Sequence, residues 1–163
     1  MKVAIASDHR GYHAKEHVKQ VLTQMGHDIT DFGTHSDRSK DYPDFALPVC
    51  NAVHQGDAER GILMCGSGIG MCMTANKVPG IRAALCHDEL TAEMSRRHNN
   101  ANVLCLPADL IGEELTRRIV EVWLKTDFEG GRHARRVRKI SGYEDQEAEC
   151  PEDKPAPKSK HKA

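Results

Sequence analysis

Short apolar runs alternate with longer amphipathic stretches along most of the chain, the pattern of strand–helix units that feed a parallel sheet. The apolar runs predict strands over Lys2–Ser7, His27–Phe32, Gly61–Cys65, Ile81–Cys86 and Asn102–Leu106. Between them the spacing predicts helices over Tyr12–Met25, Pro43–Gln55, Ser67–Asn76 and Asp88–Arg97. In Glu113–Lys125, the residues Leu115, Ile119, Val122 and Trp123 fall on one helical stripe, bracketed by Gly112 and Gly130-Gly131. Arg132–Lys139 predicts a last, strongly basic helix, with Val137 and Ile140 available to dock it. From about Glu144 onward Glu, Asp, Lys and Pro dominate and apolar residues all but vanish. Such a segment buries too little surface to offset its ordering entropy, so 144–163 is expected to be a disordered charged tail on a domain spanning 1–143.

Five strands with helical crossovers predict a doubly wound α/β domain, a Rossmann-like three-layer α/β/α fold with the flavodoxin-like strand order 2-1-3-4-5. Ligands of such sheets bind beyond the carboxyl ends of the strands, where the order reverses between strands 1 and 3. Ser7–Gly11 and Cys65–Met71 are therefore the segments to inspect.

Composition narrows the class. The 163 residues suit one domain, and 39% hydrophobic with 29% charged residues is ordinary for a globular chain. Aromatics make up only 4%, so the core must be aliphatic. A net charge of -1 argues against a dedicated partner for nucleic acid or an acidic membrane surface. No apolar run is long enough for a signal peptide or a membrane span, which implies a soluble, cytoplasmic protein. Six cysteines, at 50, 65, 72, 86, 105 and 150, include no C-x-x-C pair. They read as reduced thiols, four of them as core filler.

The sharpest motif is Met64-Cys65-Gly66-Ser67-Gly68-Ile69-Gly70 at a strand's carboxyl end. Its alternating glycines let the backbone turn tightly and aim N–H groups at an anion or a developing oxyanion. It lacks the Gly-Lys-Ser/Thr of a P-loop, the spacing of a dinucleotide fingerprint, and the arginine of a cysteine phosphatase loop. Cys65 at the start of this loop is placed where a thiolate is favoured, as nucleophile or base, with the Ser67 hydroxyl beside it. Ser7-Asp8-His9-Arg10-Gly11 follows strand 1. Asp8 and His9 there suit sugar hydroxyls and a phosphate, or else Asp8 merely caps the next helix. His9, His13 and His17 fall four apart, but Gly11 starts the helix too late to make them a metal face. His98-Asn99 offers a proton donor near neutral pH, or a helix end followed by turn asparagines. Arg132 and Arg136 share one helix face and make a two-pronged phosphate clamp, or a solvated basic face.

Taken together, SDHRGYHAKE, DFGTHS with DYPDFA, ILMCGSGIGMCMTANKVPGIRAA, SRRHNNANVLCL and EGGRHARRV resemble the ribose-5-phosphate isomerase B family, which also includes galactose-6-phosphate isomerase subunits. The resemblance runs from Met1 to about Tyr143. It implies an aldose–ketose isomerase that interconverts D-ribose 5-phosphate and D-ribulose 5-phosphate through an enediolate, in the pentose phosphate pathway. It also implies a homodimer or dimer of dimers with active sites shared between subunits, and no metal or nucleotide cofactor. Carried across by motif, Cys65 is the base that moves the proton between C1 and C2, and Ser67 assists proton movement between the oxygens. The backbone of Gly66, Ser67, Gly68, Ile69 and Gly70 holds the enediolate. His98 opens the furanose ring, Asp8 and Asn99 bind hydroxyls, and His9, Arg132 and Arg136 hold the phosphate.

One position departs from the family. Many members carry an arginine of the substrate site shortly after strand 5, where this chain has Asp109. Arg132 and Arg136 then suffice for the phosphate, or Arg135 or Lys139 compensates, or the preferred substrate differs. The competing readings are an isomerase of a six-carbon sugar phosphate, such as allose or galactose 6-phosphate, and a non-catalytic module that binds a phosphorylated ligand.

Overall fold

The computed structural model describes the backbone of residues 1–148 and the side chains of residues 1–144. Strands β1 (Lys2–Ser7), β2 (Asp28–Asp31), β3 (Arg60–Cys65), β4 (Ala83–Leu85) and β5 (Val103–Pro107) form one parallel sheet. The helices are α1 (Tyr12–Gln24), α2 (Pro43–Gln55), α3 (Ile69–Ala75), α4 (Glu89–Asn99), α5 (Glu113–Lys125) and α6 (Gly131–Ala148). This is the expected α/β class. The strand order is not the expected 2-1-3-4-5 but β2-β1-β3-β5-β4.

The reason lies in the strands themselves. Every residue of β5, VLCLP, is buried, whereas β4 is three residues long and only half-buried throughout. A strand covered on both faces belongs inside a parallel sheet, and a short half-covered one belongs at its edge. The reversal of direction between β1 and β3 survives the swap. Right-handed crossovers then put α1 and α4 on one face of the sheet and α2 and α3 on the other.

Two aliphatic cores result. One joins Ile5, Leu22, Ile62, Leu104 and Ile119 with the fully buried Trp123 under α1, α4 and α5. The other joins Ala4, Val49, Leu63, Met71 and Val103 under α2 and α3. The Trp123 ring is flanked by the guanidinium groups of Arg60 and Arg96, 5.2 and 5.8 Å from its centroid. Desolvation, followed by repulsion from Arg60 and Arg82, lowers the Arg96 pKa to about 10. Among the described residues no helix is long and apolar enough to cross a membrane.

The last helix departs from expectation. It runs to Ala148, so the segment from Glu144 that was expected to be tail begins as helix. Glu144 anchors it by accepting the N–H of Gly80 at 2.9 Å. The rest of the expected tail, 149–163, lies outside the described residues. Docking rests on His133, which is buried, rather than on Ile140, which is 50% exposed.

Candidate active site

The tips of β1, β3 and β5 lie side by side at the carboxyl edge. Ser7 is level with Met64, and Cys65 with Pro107. The Asp8 N–H donates to the Met64 carbonyl at 3.1 Å, and the Asp109 N–H to the Gly66 carbonyl at 3.0 Å. Asp8 is buried, and its Oδ1 accepts the N–H groups of Arg10 and Gly11 at 2.9 and 3.1 Å. It therefore caps the turn into α1 with one oxygen and keeps Oδ2 without a partner among the described residues. His9 Nδ1 accepts the N–H of Lys40 at 3.2 Å, which leaves Nε2 to carry the proton of the neutral ring and to donate outward.

The glycine loop is built by close approach. Gly68 has φ 73°, and a Cβ there would collide with Leu85 and come within 3.1 Å of the Leu106 backbone. Its N–H turns back to donate to Cys65 Sγ at 3.1 Å, so the loop and the sulfur form one unit. Ser67 is half-exposed and accepts the Ile69 N–H at 3.4 Å, while α3 begins at Ile69, two residues later than expected. A Cβ on Gly70 would sit 2.7 Å from the Tyr42 ring, which roofs this end of the loop. Tyr42 lies inside the DYPDFA motif, whose pattern points to no role for it.

The second group of expected residues lies elsewhere. His98 and Asn99 end α4, just before β5 starts at Val103, whereas Cys65 is level with Pro107 at the far end of β5. The four steps from Gly61 to Cys65 span about 13 Å of strand. Arg132 and Arg136 are exposed on α6, which packs against α4. There the His98 ring stacks on His133 with centroids 4.2 Å apart and planes 5° from parallel. Glu129 faces both rings, its Oε2 lying 3.9 Å from His98 Nε2 and 3.6 Å from His133 Nε2. A hydrogen bond from Arg97 is the main cause that holds the Glu129 carboxyl below its ordinary range. Burial, then the charges of His98 and Arg132, pushes the His133 pKa down.

His98, Glu129 and His133 offer ligand atoms within 4.8 Å of one another. The stacked rings lie in nearly parallel planes, so the in-plane lone pairs of their nitrogens stay in separate planes rather than meeting at one point. The cluster is two stacked rings beside the Arg97–Glu129 ion pair, not a formed metal centre. A single chain thus brings together Asp8, His9, Cys65 and Gly66–Gly70, and separately His98, Asn99, Arg132 and Arg136. It does not bring the two groups to each other.

Two features escape the sequence pattern. Arg10 Nε donates to Asp109 Oδ2 at 2.6 Å, joining residues 99 positions apart across the site's mouth. Cys50 and Cys86 are core thiols pushed up by burial to about 12 and about 11. Cys72, though, is half-buried in α3, and a hydrogen bond with Cys105 is the main cause that draws it down to about 7. A cavity of about 780 Å³ lies away from the glycine loop, where α6 overhangs β4, and is lined by Asn99 but by no other expected site residue.

A protein family described as Ribose/Galactose Isomerase matches residues 3–140. The chain is similar to the solved ribose-5-phosphate isomerase B of Clostridium thermocellum, with TM-score 0.89 and 50% identity, covering 90% of this chain and 99% of that one. It is also similar to ribose-5-phosphate isomerase B from Mycoplasma genitalium with bound ribulose-5-phosphate, with TM-score 0.85 and 44% identity over 89% of this chain and 97% of that one. The D-erythrulose-4-phosphate isomerase of Pectobacterium atrosepticum is 44% identical over 148 residues, 90% of this chain and 97% of the relative.

Proposed function

The chain belongs to the ribose/galactose isomerase family and is a sugar-phosphate isomerase, and on that premise we propose that it interconverts D-ribose 5-phosphate and D-ribulose 5-phosphate at a site completed by a second copy of itself. The observation that carries this reading is the division of the expected residues between opposite edges of one sheet. Each edge is chemically incomplete. The carboxyl edge has a thiol, an oxyanion loop and a hydroxyl-binding carboxylate. The α4–α6 edge has an imidazole and two exposed arginines. Joining the carboxyl edge of one copy to the α4–α6 edge of another supplies base, acid and phosphate clamp together.

An apolar face beside the glycine loop supports such a contact. Leu47 on α2 and Ile69 and Met73 on α3 are 41%, 53% and 66% exposed. Apolar surface gathered at one place is what an interface between copies would cover.

In this scheme His98 of the second copy protonates the ring oxygen and opens the furanose, with Asn99 on its hydroxyls. Cys65, as thiolate, removes the C2 proton and the electron pair moves to O1, giving the enediolate. The N–H groups of Gly66–Gly70 hold that charge where it develops. Ser67 shuttles the proton between O1 and O2, and Cys65 returns its proton to C1. Asp8 binds a hydroxyl, and His9 with Arg132 and Arg136 binds the phosphate. No redox partner is needed, since one carbon is oxidised as its neighbour is reduced. The free thiols Cys50, Cys65, Cys72, Cys86 and Cys105 suit a reducing cytoplasm.

A four-carbon substrate is the second reading, favoured by the similarity to an erythrulose-phosphate enzyme. The test is a panel of four-, five- and six-carbon phosphosugars in deuterated water, followed by NMR. The five-carbon pair is expected to show the highest kcat/KM. A higher value for another sugar phosphate would replace ribose 5-phosphate as the substrate.

A further inference from the structure

We propose that Arg10 is a phosphate-binding residue of this site and that Asp109 is its positioning residue. The inference deepens the reading above and rests on it for the identity of the sugar. Arg10 follows β1 and Asp109 follows β5, and these strands are not neighbours, because β3 lies between them. Their side chains nevertheless meet, Nε to Oδ2 at 2.6 Å. Two strand spacings separate the tips, about 10 Å, so the pair must arch over the end of β3.

The glycine loop shows where the arch stands. A Cβ built on Gly66 would collide with the Asp109 carboxylate and sit 2.7 Å from Arg10 Nε. The ion pair therefore lies directly on the first glycine after Cys65. A larger residue at 66 would displace it.

Charge then decides what Arg10 is for. A sugar phosphate that reaches this loop brings close to two negative charges, and the carboxylates of Asp8 and Asp109 already line the approach. Arg10 offsets them. Only its Nε is engaged by protein among the described residues, and its side chain is 59% exposed. The two terminal nitrogens are free for the paired oxygens of a phosphate. Asp109 fixes the guanidinium by its inner nitrogen, which leaves that fork available.

The roles of the two residues predict a change of sign. With Arg10 present, Asp109→Ala removes the support and should weaken phosphate binding severalfold. With Arg10 already replaced, Asp109 is an unpaired negative charge beside the phosphate. The double variant Arg10→Ala/Asp109→Ala should then bind phosphate better than Arg10→Ala alone. A pair that only stiffens the loop is already broken in Arg10→Ala, so Asp109→Ala then adds no gain in phosphate binding.

The experiment uses the full chain and two readouts: calorimetric binding of inorganic phosphate, and KM with kcat for ribose 5-phosphate. Arg10→Ala should weaken phosphate binding and raise KM by about tenfold to a hundredfold, the loss expected for one charge-assisted contact. The change in kcat should be smaller, and Arg10→Lys should recover part of the loss. Phosphate binding unchanged or tighter in Arg10→Ala overturns the proposal. So does an Asp109→Ala change that brings no gain in phosphate binding once Arg10 is replaced. If the wild-type protein turns over no pentose phosphate, the substrate reading fails, but the phosphate calorimetry still decides the role of Arg10.

Discussion

Cys65 sits under its own loop, buried, with the Gly68 N–H on its sulfur. Replacing it by alanine removes the sulfur proposed as the base and leaves the loop's turn, which Gly68 and its contact with Leu106 enforce. Cys65→Ala should therefore lower kcat by a factor on the order of 10²–10⁴, the contribution of a positioned base, while inorganic phosphate still binds. Exchange of the C2 proton with solvent at the wild-type rate in that variant would remove Cys65 from the role of base. Residues of this kind were legible in the sequence because their chemistry is local. Cys65, Gly66, Ser67, Gly68 and Gly70 announce a strand-end anion loop on spacing alone. Arg10 was not legible, because its meaning comes from Asp109, which the fold brings to it from 99 residues away. Cys72 packs against the second core as filler does, and its contact with Cys105, which sets it apart from the other core thiols, is likewise made by the fold.

At the scale of elements, β1, α2 and α5 have the bounds that the pattern predicts, α6 runs on to Ala148, and the other elements shift by a residue or two at their ends. The order of β4 and β5 was missed because periodicity identifies strands but not neighbours. The usable signal was the unbroken apolar run of β5 against the short AAL of β4. In α5, Trp123 fills the space between the sheet and the guanidinium groups of Arg60 and Arg96. Trp123→Ala should cost about 3–5 kcal/mol, read as a lower midpoint of urea unfolding. It leaves two part-buried cations with no ring to cover, so collapse around the gap should not rescue it.

The docking of α6 should depend on pH. His133 and His27 both have pKa values below the ordinary 6.5, burial being the first cause in each. The unfolded chain then binds these protons more readily than the folded one, so stability falls as pH drops through 6.5 toward the folded values. Glu129, held low by Arg97, keeps its charge through that window and adds its own loss only below the ordinary carboxylate range. Melting temperature should decline from pH 7.5 to 5, and His133→Gln should flatten part of that decline. An unchanged slope in the variant would mean that His133 does not link α6 to pH.

For the whole molecule, the question is whether the site is closed within one chain or between two. Cys65 is level with the carboxyl end of β5, and His98 lies before its amino end. A sugar phosphate cannot touch both groups of the same copy without crossing the sheet edge to edge. The two-chain site makes a quantitative prediction for mixtures. Cys65→Ala and His98→Ala should each be inactive on the cyclic aldose as homodimers. When the two chains are co-refolded at equal amounts, about half of the dimers are mixed. Each mixed dimer has one site in which Cys65 of the His98→Ala chain faces His98 of the Cys65→Ala chain, and a second site that lacks both. Activity should return to about one quarter of wild type. A site formed within one chain gives no recovery at any mixing ratio, because every chain then has a defect in its own site. The same mixture assayed from open-chain ribulose 5-phosphate separates the two roles. His98→Ala alone should still exchange the carbon-bound proton there, since ring opening is not required. If it fails in that assay as it does with ribose 5-phosphate, His98 belongs to the proton transfer, and Cys65 no longer acts as the sole base.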